Sequence, residues 1–275
     1  MTIEALFQQP NALPSAPKVI QEVISSFNDE HVTSSDITKK IATDPVLSAK
    51  LLRLANSAYY HVSRSVSTVD DAVSMLGFVT VRTLVISSGL VSEFKSTPGL
   101  NLNQFWRYSL NTAVAAKWLA KHVDENSDLA FTIGMTHAIG QLVIHSGMPE
   151  EARQLDKAIG FLDARRFNTE HDSLGYDYAE VGAELASRWK FPETFANSIR
   201  AFPKPMEVQP FNPMAAIIHL AAWIARANEN DLTLEEIRAS CPTKVAEKFG
   251  LDPYIMLDTM PPLSELSSGL EELIV

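Results

Sequence analysis

Apolar residues recur along almost the whole of this chain at intervals of three and four, each run closed by a cap residue or a proline. That spacing is the face of an amphipathic helix, and it leaves little room for a sheet. In "APKVIQEVISSF", Val19, Ile20, Val23, Ile24 and Phe27 form one stripe. In "SSDITKKIATD", Ile37 and Ile41 stand four apart, with Ser34 or Ser35 as the expected N-cap. Asp44 followed by Pro45 then starts a new helix, because aspartate accepts from free helix N–H groups and proline fits the first turn. Leu47, Leu51, Leu54 and Ala55 supply its buried face. Thr68 and Gly77 bracket a short helix, Gly77 as its stop. "VTVRTLVISSGLVSEF" is rich in β-branched residues, yet no partner strand flanks it, so it too is expected to be helical.

"KSTPGLNLN", residues 95–103, combines Ser, Thr, Pro, Gly and Asn and reads as the main internal linker. Beyond it the pattern predicts helices over "QFWRYSLNTAVAAKWLAKHV", "PEEARQLDKAIG", "YAEVGAELASRWKF", "PETFANSIRAF" and "NPMAAIIHLAAWIARANEN". From Asn230 onward, short helical pieces alternate with prolines. The expected organisation is all-α: a helical lobe over 1–95, a helical bundle over 96–229 and a C-terminal appendage over 230–275.

At 275 residues, with 46% hydrophobic and 20% charged, the chain can bury one large core or two modest ones. A net charge of −10 repels phosphate backbones, and no Lys/Arg stripe offsets it, so nucleic acid is not an expected partner. The single cysteine, Cys241, excludes a disulfide within the chain and a zinc ribbon, and fits a reducing, cytoplasmic setting. No secretory signal pattern opens the sequence, and no apolar run reaches the roughly 20 residues that span a bilayer. A membrane partner is therefore not expected.

The stretch "AFTIGMTHAIGQLVIH", 130–145, poses the functional question. Read as one apolar helix, it buries His137 at its centre. A metal site needs several converging ligands, whereas a lone histidine among aliphatics is more commonly a hydrogen-bonded core residue. His145, eight residues on, points about 80° away and two turns along, so the two cannot share an ion. "TEHDSLGYDYAE", 169–180, holds His171, Asp172, Asp177 and Glu180, but its composition reads as a solvated loop entering a helix. Ser87-Ser88-Gly89 lacks the context of a nucleophile elbow. Asp70 and Asp71 look like first-turn acids. Phe105, Trp106, Trp118 and Trp189 sit at core spacing.

Several segments together, running in order over about 13–205, resemble the HDOD family, relatives of the HD-type metal phosphohydrolases. They are "LPSAPKVIQEV", "DPVLSAKLLRLANSAYY", "VSTVDDAVSMLGFVTVRTL", "FWRYSLNTAVAAKWLA", "AFTIGMTHAIGQL" and "YDYAEVGAELASRWKFP". The most specific piece is the Asp44-Pro45 helix start leading to Asn56, Ser57, Tyr59 and Tyr60. The resemblance implies a helical N-terminal lobe packed on an HD-type bundle. It also implies where a catalytic relative would carry metal ligands. Here an early histidine position holds Tyr108, and the His-Asp pair is His137 followed by Ala138. A later histidine position holds Tyr178, a paired-histidine position holds Ala201 and Phe202, and the final aspartate position falls at Ala222.

One ligand of the set remains, so the resemblance implies a degenerate site with no metal, no cofactor and no catalysis. The expected function is non-catalytic bacterial signal transduction, regulatory or scaffolding, through an unidentified protein partner. The proline-rich stretch 201–213 is a candidate docking segment. Two rival readings remain open. One is a metal-dependent phosphohydrolase with atypical ligands drawn from His137, His171 and Asp172 or Asp177. The other is a nucleotide second-messenger sensor in which Tyr108 and Tyr178 stack a base.

Overall fold

The computed structural model describes residues 1–9, 12, 18–26, 33–94, 96–274 of the chain. Phe27, residues 13–17 of the family-like N-terminal segment and Lys95 of the linker lie outside the described residues. Among the described residues every regular element is a helix.

The N-terminal part contains α1 (Ile3–Phe7), α2 (Lys18–Ser25), α3 (Ser34–Ala42), α4 (Pro45–Ala55), α5 (Val69–Leu76) and α6 (Phe78–Glu93). Ile20, Val23 and Ile24 of α2 are buried, as are Leu47, Leu51, Leu54 and Ala55 of α4. Asp44 caps α4 by accepting from the N–H groups of Val46 and Leu47, both at 3.0 Å. Thr68 caps α5, and Gly77 ends it at φ +82°, a conformation that favours glycine. The cap of α3 is Thr33, not Ser34 or Ser35. Thr33 exchanges hydrogen bonds with Asp36 in a reciprocal box, and that second contact decides between neighbouring hydroxyl residues.

The second part contains α7 (Leu102–His122), α8 (Ser127–Thr136), α9 (Ile139–Gly147), α10 (Pro149–Ala158), α11 (Arg166–Leu174), α12 (Tyr178–Arg188), α13 (Glu193–Ala201) and α14 (Pro213–Glu229). Helix α7 packs mainly between α8 and α14, and α12 mainly between α9 and α13. Contacts of α6 with α8 join the two parts. The remaining helices are α15 (Leu234–Ala239), α16 (Thr243–Glu247), α17 (Pro253–Thr259) and α18 (Leu263–Leu266), before a 3₁₀ turn at Glu271–Leu273. Helix α18 returns to α7, and the final turn packs on α4 and α6. Among the described residues one apolar core runs from Leu6 to Leu273.

Two further sequence expectations require correction. The stretch 130–145 is two helices, α8 and α9, broken at His137 and Ala138. The imidazole Nδ1 of His137 takes the Gly134 carbonyl at 2.6 Å, the acceptor a continuing helix would offer to the N–H of Ala138. Close packing fixes the bend on either side. A Cβ on Gly134 would lie 2.6 Å from Cα of Ala113, and one on Gly140 would strike the Tyr178 carbonyl and lie 2.7 Å from N of Gly182. The stretch 169–180 is not a solvated loop. Its first half completes α11, which buries Glu170 and Arg166 completely.

Candidate functional site

Four elements converge on His137. Helix α7 brings Tyr108, the α8–α9 junction brings His137 itself, α12 begins with Tyr178, and Phe202 follows α13. His137 is wholly buried. Its Nδ1 faces a carbonyl, which can only accept, so Nδ1 carries the proton and Nε2 is left as an acceptor. The Tyr108 hydroxyl donates to Nε2 at 3.0 Å. The His137 ring lies edge-on to Tyr108, with centroids 5.0 Å apart, and to Phe202, at 5.2 Å. Tyr178 packs against Phe202 at 6.0 Å.

The electrostatics follow from burial. Desolvation pushes the His137 pKa down to about 3, helped by the positive charge of Arg226 and opposed by the Gly134 carbonyl. The imidazole is therefore neutral at any ordinary pH. Burial likewise pushes the phenols of Tyr108 and Tyr178 up, which keeps them protonated and poor ligands for a divalent ion. Ala138 and Ala222 are buried and offer no ligand atom, and neither does Phe202.

A catalytic ion takes at least three protein ligands. This centre presents one imidazole nitrogen whose lone pair already holds a tyrosine proton, so the residues present do not fit a divalent ion. Among the described residues, three metal-type ligand atoms converge elsewhere, at His171, Asp177 and Glu180. Asp177 and Glu180 are already committed to the capping box of α12, while His171 is exposed. Asp172 is exposed and outside that group, and buried His137 belongs to a different centre. The structure thus does not assemble the ligand set of His137, His171 and Asp172 or Asp177. Nor does it present Tyr108 and Tyr178 as a base-stacking pair: both are at most 3% exposed, packed edge-on or tilted against His137 and Phe202.

The family-like motif after α4 has its own geometry. The side-chain amide of Asn56 donates to the carbonyls of Leu52 and Val66, each at 2.7 Å, and its oxygen accepts from the N–H of Val66 at 2.8 Å. Asn56 thereby ties the end of α4 to the following loop. The Ser57 hydroxyl is buried with no hydrogen-bond partner among the described residues. Tyr59 and Tyr60 meet edge to face at 4.8 Å, and Lys117 of α7 stands over Tyr59 at 5.9 Å. They therefore sit where the N-terminal part meets α7.

A buried ionic network beside the site was not read from the sequence. Arg166 donates through Nε to Glu170 at 2.7 Å, and through Nη1 to Asp156 at 2.7 Å and the Ile159 carbonyl at 2.8 Å. Glu170 also accepts from the N–H of Tyr178 at 2.7 Å, tying α11 to the start of α12. Burial pushes the Glu170 carboxyl up to about 7, against the pull of Arg166. The four-residue spacing of Arg166 and Glu170 was the available signal.

Comparison with known proteins agrees with this fold. The family model described as HDOD domain matches residues 13–205. A solved structure from Shewanella amazonensis, called "Putative phosphohydrolase", is 34% identical, with a TM-score of 0.79 over 98% of this chain and 96% of its own. One from Marinobacter aquaeolei, called "Putative signal transduction protein", is 23% identical, with a TM-score of 0.72 over 95% of this chain and 58% of its own. An uncharacterized protein of Treponema pallidum is 28% identical over 83% of this chain, which spans only 45% of that protein's length. No helix among the described residues is long and apolar enough to cross a membrane. With 193 consecutive positions matched by the family model and a 34%-identical relative aligned over nearly its whole length, the chain belongs to the HDOD domain family.

Proposed function

We propose that this chain is a non-catalytic regulatory or scaffolding module of bacterial signal transduction that acts through a protein partner. The observation that carries the reading is the closed pair at the old metal position: Tyr108 donates to the one remaining ligand, His137, and Phe202 seals its other side. Without an ion there is nothing to lower the pKa of an attacking water or to polarise a phosphoryl oxygen. A shared fold does not carry hydrolase activity with it. The signal-transduction name of one structural neighbour points the same way, and two relatives are much longer proteins, which suits a module that passes a signal between domains or chains.

A partner has a surface to use. The stretch after α13 lines a groove of about 630 Å³ with Leu129, Val208, Phe211 and Met214 among its walls, and helix-in-groove binding uses apolar grooves of this kind.

The test pairs a chemical and a physical measurement. Purified protein, supplied in turn with manganese, iron and zinc, is expected to hydrolyse neither p-nitrophenyl phosphate nor its diester. Elemental analysis is expected to give well below one metal per chain. The same protein used as bait in its host is expected to retain a defined partner. A stoichiometric metal, with hydrolysis lost on His137→Gln or His171→Ala, overturns the reading in favour of an atypical phosphohydrolase.

A further inference from the structure

Beside the closed pair lies a cavity of about 130 Å³, lined by Tyr178, Phe202, His219, Trp223 and Arg226, with Ser240 at its rim. Trp223 Nε1 donates to Ser240 Oγ at 3.1 Å, but other polar groups of the lining have no partner among the described residues. The guanidinium of Arg226, partly exposed on α14, makes no hydrogen bond or ion pair with any described residue. The carboxylate three residues on, Glu229, is taken by Arg107 at 2.6 Å. Asp163, whose carboxyl also feels the Arg226 charge, is held by Arg165 at 2.8 and 3.0 Å. The Tyr178 side chain is 3% exposed, and its hydroxyl makes no hydrogen bond among the described residues. His219 donates from Nδ1 to the Phe202 carbonyl at 2.8 Å, which leaves Nε2 as an acceptor with no partner among the described residues. A permanent cation, a hydroxyl donor and an imidazole acceptor thus line one small space.

That combination selects a ligand. The cation asks for an anion, and the imidazole acceptor asks for one that still carries an O–H. Sulfate and carboxylates are fully deprotonated near neutral pH, whereas inorganic phosphate and partly protonated monoesters keep an O–H. The volume equals that of about four waters, room for one tetrahedral group, and falls below the roughly 300 Å³ of sites that enclose drug-sized molecules. We propose that this cavity binds a phosphoryl group, as free phosphate or as the terminal phosphate of a small ester, on Arg226 and Tyr178 with His219 accepting its O–H. The assignment does not depend on the signalling reading above, since it asks only for binding.

The experiment is calorimetric titration of the full chain with inorganic phosphate, phenyl phosphate, sulfate and acetate at matched ionic strength and pH 7. Saturable binding of phosphate or phenyl phosphate is expected, at least several-fold tighter than sulfate or acetate; the tighter of the first two tells free ion from ester. Arg226→Gln, at a partly exposed position, is expected to weaken binding about tenfold or more, the size of a lost charge-assisted hydrogen bond. Tyr178→Phe, which keeps the packing, is expected to weaken it about threefold to tenfold. Absence of saturable phosphate binding in the folded wild type overturns the proposal. So does unchanged affinity in Arg226→Gln, or sulfate or acetate binding as tightly as phosphate.

Discussion

Burial of His137 makes a specific demand on the pH dependence of stability. In the folded chain the imidazole titrates at about 3, held down by desolvation; in the unfolded chain it returns to its ordinary value near 6.5. Between these values the unfolded state binds a proton that the folded state refuses. Stability therefore falls as pH drops below 6.5 and is recovered above it. At pH 5 the contribution of this one residue is about 2 kcal/mol relative to pH 7.5, and any folded value below 4 gives nearly the same figure. His145 and His219 are also lowered by burial and act in the same direction, so the wild-type slope alone does not isolate His137. The comparison that does is with His137→Gln, whose amide can replace both hydrogen bonds without titrating. Urea unfolding of both proteins at pH 5, 6 and 7.5 gives the required free energies. The wild type is expected to lose about 2 kcal/mol more than the variant between pH 7.5 and pH 5. Equal losses would refute the neutral, sealed histidine on which the functional reading rests.

Four further outcomes are expected. Arg166→Met leaves the buried Glu170 without its cation and is expected to cost about 3–5 kcal/mol at pH 8 in urea unfolding, as for other broken buried pairs. Because burial holds the Glu170 carboxyl up at about 7, it protonates near pH 6, and the cost is expected to shrink there. Gly140→Ala drives a methyl into the backbone of α12, which cannot move aside, and is expected to cost at least about 1–3 kcal/mol by the same assay. Asn56→Ala removes the bonds between α4 and the Val66 backbone and is expected to lower the melting temperature, at a cost of about 1–3 kcal/mol; loss of partner binding at unchanged stability would mark a recognition residue instead. Ala138→Asp restores the His-Asp pair in sequence but places a carboxylate at a position 1% exposed, and is expected to destabilise by about 1–3 kcal/mol. Excess manganese is not expected to relieve that loss in thermal melting, and a metal-dependent rise would show that further ligands lie within reach.

The one-dimensional pattern settled whatever depends on near neighbours. The stripe of α4, the cap at Asp44 and the stop at Gly77 involve residues within a turn or two of one another, and the sequence displays them directly. The donor chemistry at the positions where the resemblance expects ligands is equally local, since alanine at 138 and tyrosines at 108 and 178 have the same donor chemistry wherever they lie. What the sequence could not supply is how polar groups from distant segments are brought together. The break at His137 needs the close approach of α7 to Gly134 and of α12 to Gly140. Glu170 looks like surface in a run of polar residues until α11 folds against α12 and its second oxygen meets the N–H of Tyr178. The same applies to the hydrogen bond that Nε2 of His137 accepts from a hydroxyl 29 residues away, and to Arg226, which faces Tyr178 only once α14 has packed beside it. Helical periodicity states which face of a helix is buried; only the meeting of faces decides which polar group on it finds a partner and which is left waiting for a ligand.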